Sequence, residues 1–378
     1  MTTPTFSDAR PRLGESVADL ETPVVVADLD VVERNLHRYA DLADDDGVDL
    51  RVHTKAHKIP ELARWQQRVR PDGVLCQKLG EAEVMVRDGV EDVLLVCPVV
   101  TERKLARALW VADHCERFAM MVDGPANVDP LNRAAGERGQ TVDVVMEVDA
   151  GLHRMGVQPG EEAVAFGEHV ASLEHVSLRG ILGHDAHLPF VADDEAHLAE
   201  LCADTAETLG ETADRLEAAV GAADLSVTTG ASATAPYMAA QPAVTELDPG
   251  RYVFNDVDTL RRAPHVERAD CALTVLTTVI AKPTADRAIC DAGSKTISYN
   301  TDAPDPVPVG RDDVAFPRRS SEHGHLDVSD APDVSVGDRL EFVVPNAYGP
   351  INIHDVVPAV RDGEVRELWT VEARGKDK

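Results

Sequence analysis

The sequence predicts a (β/α)8 barrel joined to a smaller C-terminal β domain, and three observations carry that expectation. Short runs of β-branched and other apolar residues recur eight times between residues 50 and 254, with helix-period segments between most of them. Past about residue 265 the helical period stops, and alternating runs are separated by Gly- and Asp-bearing turns. Polar residues gather where early strands end, which is where such a barrel carries its chemistry. An open doubly wound sheet is the competing architecture. As a nucleotide binder it is disfavoured, since no G-x-G-x-x-G follows an early strand and no Walker loop occurs.

Taken in order, residues 1 to about 20 are polar and proline-bearing and read as an arm. Val24-Val25-Val26-Ala27 is a short apolar strand, and Val32, Leu36 and Tyr39 mark the stripe of a helix. Barrel strands are expected at 50–53, 74–76, 93–96, 118–122, 142–148, 178–182, 225–228 and near 252–254. Helices are expected at 59–69, 80–87, 101–114, 126–137, 158–172 and 191–220. Further strands follow at 272–281, 340–344, 351–353, 356–360 and 365–370, with 304–311 and 316–324 as polar loops. The expected division is an arm and strand associated with the β domain (1–27), a barrel (28–265) and a C-terminal β domain (266–378).

Acidic residues number 67 against 37 basic ones, a formal charge of -30 that is spread along the chain. Nucleic acid and anionic membranes are therefore poor partners, and a dispersed acidic surface with few lysines suits either work in high salt or an ordinary acidic cytosolic enzyme. The six cysteines form no CxxC pair, so neither a thiol redox motif nor a zinc ribbon is supported. They read as thiols in a reducing compartment. Met1-Thr2-Thr3-Pro4-Thr5 lacks the character of a signal peptide, and no apolar run reaches membrane-spanning length, which makes the cytoplasm the expected location.

His53-Thr54-Lys55-Ala56-His57-Lys58 packs two lysines and two histidines into six positions at an expected strand end. It reads either as a basic surface turn or as the site of a Schiff-base lysine, Lys55, for pyridoxal phosphate, kept reactive by neighbouring cations. Such a cofactor needs an anion site near the last strands. Thr229-Gly230-Ala231-Ser232, a small hydroxyl-bearing turn after the seventh strand, offers one, although a plain Ser/Thr loop has the same composition. Tyr252 lies just beyond, in Gly250-Arg251-Tyr252-Val253-Phe254. After the fifth strand, Asp149-Ala150-Gly151-Leu152-His153-Arg154 reads either as a surface loop or as the source of an arginine able to bond a phenolic oxygen or a carboxylate. His184-Asp185-Ala186-His187 and Glu322-His323-Gly324-His325 are compatible with metal binding, with proton transfer, or with neither.

Arg51-Val52-His53-Thr54-Lys55-Ala56-His57-Lys58 resembles the Arg-Pro-His-x-Lys-Thr-His-Lys segment of the D-threonine aldolase and D-serine dehydratase family. These are pyridoxal phosphate enzymes with an alanine-racemase-like barrel. Further matches run along the chain: Thr22-Pro23, Asn35, Gln77 with Glu81-Ala82-Glu83, Asp149-x-Gly151-x-x-Arg154-x-Gly156, Glu246, Gly250-x-Tyr252-Val253-Phe254-x-Asp256, Asp291-Ala292-Gly293, Lys295, Glu322-His323-Gly324, Gly337-Asp338 and Pro345-Asn346. The resemblance implies that Lys55 carries the cofactor and that the 228–232 turn holds its phosphate. His53, Arg154, Thr229, Gly230, Ala231, Ser232 and Tyr252 then become cofactor-binding residues. It also implies a homodimer acting on a small amino acid.

Two departures stand out. In the family, Pro-Asn is followed by His-x-Cys or His-x-Asp, which hold zinc or manganese. Here Ala347-Tyr348-Gly349 supplies no such side chains, so the usual metal is expected to be absent. Replacement ligands from His323, His325, His354 or Asp355 are conceivable. His184-Asp185-Ala186-His187 stands where relatives carry Tyr-x-Gly-His, so a phenol has become an imidazole able to act as a base. The expected activity is retro-aldol cleavage of a D-configured 3-hydroxy amino acid by a lyase. Lys55 would be its Schiff-base residue, with His184, His187 or Tyr348 transferring protons. An amino-acid racemase, a D-serine dehydratase-like enzyme and a catalytically reduced cofactor-binding protein are the alternatives.

Overall fold

A computed structural model describes residues 9–298 and 303–378, so the first eight positions of the expected arm lie outside the described residues. The chain forms two compact units. One holds residues 37–55, 60–250 and 375–378; the other holds residues up to Leu36, 56–59 and 251–374.

Numbering strands along the chain, β1 (Val24–Asp28) belongs to the second unit. The first unit is a barrel of parallel strands: β2 (Asp49–Leu50), β3 (Val52–His53), β4 (Val74–Cys76), β5 (Asp92–Leu95), β6 (Arg117–Val122), β7 (Val142–Glu147), β8 (Val176–Leu182), β9 (Ser226–Thr229) and β10 (Glu246–Leu247). β2 and β3 are two halves of one strand interrupted at Arg51. The first half pairs with β10 and the second with β4, which closes the sheet on itself. Main-chain bonds from Arg51 N to Leu247 O and from His53 N to Pro249 O continue the closing seam.

Parallel strands covered on both faces favour continuous apolar runs, and β4 and β5 are buried throughout. Leu75, Leu94, Val96, Met121, Val145 and Leu182 pack into one cluster. The closing seam is different. At a period of two, Asp49, Arg51 and His53 lead towards Lys55, and Glu246 leads towards Asp248. Arg51 bonds Glu246 (2.7 Å) and Asp92 (2.6 Å), and Thr228 Oγ1 donates to Glu246 (2.8 Å). Buried charge persists here because each member of that group has an opposite partner or a donor.

The eighth barrel strand falls at Glu246–Leu247, upstream of the expected 252–254, which instead lies in and after a 3-10 turn at Arg251–Val253. A two-residue strand beginning with a charged side chain gives no hydrophobic run. Tyr252, Val253 and Phe254 are apolar because they are core residues of a turn. The helix expected at 191–220 is divided into Leu188–Val191 and Glu195–Val220. Asp194 caps the longer piece by accepting the His197 amide (2.9 Å), and Gly221 ends it in the left-handed conformation.

The second unit is a largely antiparallel sheet. Its remaining strands are β11 (Leu273–Ala281), β12 (Arg287–Cys290), β13 (Val307–Pro308), β14 (Ala315–Arg319), β15 (Gly324–Asp327), β16 (Arg339–Val343), β17 (Val356–Arg361) and β18 (Glu364–Thr370). They run in the order β14-β15-β12-β11-β1-β17-β18, with β16 beside β11 and β13 beside β16. The expected loop at 316–324 is largely the β14–β15 hairpin. Only Phe316 and Leu326 point apolar side chains inward, and the charged outer face hid the strand signal. Residues 351–353, expected as a strand, end a short helix, Tyr348–Ile353. Among the described residues no helix is long and apolar enough to cross a membrane.

Candidate active site

β3 ends at His53 and a 3-10 turn, Thr54–Ala56, presents Lys55. Thr54 Oγ1 donates to Leu75 O (3.0 Å), which fixes the turn to β4. Lys55 opens on a small pocket walled by His53, Gln77, Glu147, Arg154, His184 and Asp248, with Val96 and Leu182 as apolar lining.

The hydrogen bonds around His53 set its protonation. Gln77 Nε2 donates to Val96 O (3.1 Å), so the Gln77 oxygen faces His53 Nε2 (3.2 Å), which must be the donor. Nδ1 accepts from the Lys55 amide (3.5 Å). His53 is therefore a neutral imidazole. Burial, then the Lys55 ammonium and His184, hold its pKa well below the ordinary histidine range.

Glu147, at the end of β7, is 3% exposed. Its Oε1 accepts from Arg154 Nη2 (3.3 Å), while Oε2 is buried with no partner among the described residues. Burial pushes this acid up to about 7 despite the nearby Arg154 and His184. Asp149 shapes the loop that carries Arg154. It accepts the amides of Gly151 (3.0 Å) and His153 (2.9 Å) and pairs with His153 Nδ1 (2.9 Å). Burial opposes ionisation, but these bonds hold Asp149 down at about 2. Asp149 and His153 thus form a clamp, leaving Arg154 as the residue that enters the cavity.

His184 and Asp185 follow β8. His184 Nδ1 lies 3.6 Å from Asp248 Oδ2. Asp185 is fully buried and receives the Ala231 amide (2.9 Å) and the Thr234 hydroxyl. Burial, and then Asp248, push its acid up. His187 sits against Gly151, where a Cβ would come within 3.0 Å of its Nε2. Its Nδ1 is buried without a partner among the described residues, and burial followed by His184 lowers its pKa.

The turn after β9 bears on the fit of a phosphate group. Gly230 has a φ of +104°, and a Cβ there would sit 2.6 Å from Leu247 Cδ2, so only glycine suits the position. Thr229 Oγ1 is buried and unpartnered among the described residues. Ser232 is anchored through Tyr39, whose hydroxyl donates to its carbonyl (2.6 Å), and through Gly250, whose amide donates to its Oγ (3.2 Å). A rigid glycine turn with an orphaned hydroxyl fits a phosphate.

Tyr252 and Tyr348 belong to the other unit. Tyr252 is buried in its 3-10 turn. The Tyr348 ring lies 5.3 Å from the Arg251 guanidinium carbon, and Asp258 and Asp256 hold that guanidinium. The same unit tests the family's metal. Ala347 is fully buried, its amide donating to Asp256 Oδ2 (2.8 Å), and a Cβ on Gly349 would overlap the Ser298 side chain. Positions 347 and 349 thus lack ligand atoms, and the second also lacks room for one. His354 Nε2 is taken up with Thr296 O (2.8 Å). Among the described residues, the group of three metal-capable side chains is His184, Asp185 and Asp248, whose ligand atoms lie within 4.8 Å of one another.

The structure therefore gathers His53, Lys55, Arg154 and His184 around one cavity and sets His187 beside the Arg154 loop. Glu147 and Asp248 are the residues that sequence reasoning missed. Their one signal is alternation: each is a charged residue on the inward register of a barrel strand, two positions beyond Val145 or Glu246.

Residues 27–257 match the family described as "Alanine racemase, N-terminal domain", and residues 272–360 match "Putative serine dehydratase domain". A D-threonine aldolase from Arthrobacter sp. is 33% identical over 96% of this chain and 95% of that protein. A 3-hydroxy-D-aspartate aldolase from Paracoccus denitrificans is 31% identical over 97% and 95%. The crystal structure of D-threonine aldolase from Filomicrobium marinum superposes with a TM-score of 0.91 at 33% identity, covering 97% of this chain and 99% of that one.

Proposed function

The chain belongs to the pyridoxal phosphate-dependent family of D-threonine aldolases and D-serine dehydratases, and from that premise we propose that it cleaves a D-configured 3-hydroxy amino acid by a retro-aldol reaction that needs no divalent metal. Lyase chemistry on D-configured hydroxy amino acids is common to its close relatives. The observation that carries the finer reading is the 347–349 segment, where a buried alanine and a glycine packed on Ser298 replace the metal ligands. Dehydration needs a hydroxyl made a better leaving group by metal or acid, whereas retro-aldol cleavage needs only a base on that hydroxyl.

Bound pyridoxal phosphate supplies the electron sink that makes bonds to the substrate's α-carbon labile. Lys55 provides the amine that carries it, beside a neutral His53 that adds no second positive charge. Arg154, held by Glu147, is the donor for the cofactor's phenolic oxygen, and the Thr229–Ser232 turn receives the phosphate. His187 Nδ1, neutral and unpartnered among the described residues, is the atom that takes the β-hydroxyl proton, and His184 stands as its alternate. A homodimer, a cytoplasmic location and work in high salt belong to the same reading.

The test supplies cofactor-loaded, metal-stripped protein with D-threonine in heavy water and molar potassium chloride, with and without manganese or zinc. Glycine and acetaldehyde in the metal-free sample are the expected result. Cleavage only after metal addition overturns metal independence, and a 2-oxo acid overturns the aldolase assignment. Deuterium at Cα with the Cα–Cβ bond intact assigns the racemase reaction instead.

A further inference from the structure

The cavity beside Lys55 contains one carboxylate with no task in the reading above. Asp248 directly follows β10, its amide donating to Thr229 O (3.2 Å), and it is 4% exposed. Oδ2 lies 3.6 Å from His184 Nδ1, and Oδ1 is buried with no partner among the described residues. An orphaned carboxylate oxygen in a cavity is costly unless a ligand supplies a donor.

Pyridoxal phosphate has four polar positions on its ring: the carbon that joins the lysine, the neighbouring phenolic oxygen, the phosphate arm, and the ring nitrogen opposite the lysine-bearing carbon. Lys55, Arg154 and the Thr229–Ser232 turn serve the first three. Of the two cavity carboxylates, Glu147 is spoken for by Arg154. We propose that Asp248 holds the ring nitrogen, accepting its N–H through Oδ1 and keeping it protonated, with His184 steadying the other oxygen. This rests on the cofactor assignment made above. A cation among His184, Asp185 and Asp248 is the rival occupant. It is disfavoured because both Asp185 oxygens are already engaged, by Ala231 N and the Thr234 hydroxyl.

The experiment loads the full chain with cofactor carrying ¹⁵N in the ring and records its resonance at pH 8. Parallel samples carry Asp248→Asn and Glu147→Gln, and the metal content of each is measured. The expected result is the upfield resonance of a pyridinium in the wild type and in Glu147→Gln, moving downfield to an unprotonated pyridine in Asp248→Asn. A downfield resonance in the wild type overturns the proposal without any variant, so a misfolded Asp248→Asn protein does not shield it. An upfield resonance that persists in Asp248→Asn, or that is lost in Glu147→Gln, also overturns it. So does one equivalent of tightly bound metal that Asp248→Asn removes. A wild-type protein with no visible absorbance band sensitive to Lys55→Ala defeats the cofactor assignment itself, an outcome distinct from a bound but unprotonated ring.

Discussion

The two ends of the barrel are built from one set of parallel strands with the same alternation, yet they treat charge in opposite ways. At the lower end, Arg51 is bonded to Glu246 and Asp92, and Arg117 bonds Asp92 again (2.7 Å). At the upper end, Glu147, Asp248, His187 and Thr229 each bury a polar atom without a partner among the described residues. Full pairing marks a network that maintains the fold, because unpaired buried charge destabilises it. Incomplete pairing marks a place prepared for something else, and here Glu147, Thr229 and Asp248 lie at or just beyond C-terminal strand ends, where barrels of this kind do chemistry, with His187 in the loop after β8.

The sharpest way to separate the two ends starts at the upper one. Lys55→Ala should remove the visible absorbance of the loaded protein and all turnover while leaving its urea midpoint nearly unchanged. Retained absorbance would mean that another lysine carries the cofactor. The lower end should respond in reverse. Arg51→Met leaves the buried Glu246 with the Thr228 hydroxyl alone and Asp92 with Arg117 alone, and should cost about 3 kcal/mol of stability, read from denaturant unfolding. A loss below about 1 kcal/mol, the range of exposed ion pairs, would erase the contrast.

Smaller effects sharpen it further. His187→Gln should lower kcat on the order of 100-fold with little change in KM, the scale of losing a general base. A change confined to KM would leave His187 a binding residue only. Glu147 brings in pH. Its folded acid, at about 7, lies above its ordinary 4.5. The folded protein therefore holds that proton more tightly than the unfolded chain, and stability falls as pH rises from about 4.5 through about 7. Glu147→Gln should accordingly leave apoprotein stability unchanged at pH 4 and raise it by roughly 3 kcal/mol at pH 8. Equal effects at both pH values would show that Glu147 ionises normally.

Much of this was legible in the chain itself. The barrel rhythm emerges because helical and strand periods differ, and Lys55 is visible because its neighbours His53, His57 and Lys58 make a local composition that is rare here. The eighth strand was obscured because closing a barrel requires only two paired residues, Glu246 and Leu247, which carry no pattern. Glu147 and Asp248 were hidden for a related reason. In a chain with 67 acidic residues, an acid near a strand end looks like surface. What distinguishes them is burial with an unsatisfied oxygen, a property created by residues distant in sequence. The filled space at Gly349 is equally non-local, since it depends on Ser298.

The seam at Arg51 also sets an order of events during folding. Arg51 and Glu246 are 195 residues apart in sequence, so their pairing closes a very long loop, whereas β4 through β8 meet close neighbours in turn. Contacts of such separation form late, since the entropy of closure must be overcome before they contribute. Lys55 and Asp248 flank that seam, one on each side. The pocket between them, proposed above to hold pyridoxal phosphate, therefore comes into being only at closure, and the growth of visible absorbance during refolding should time the last step of barrel assembly.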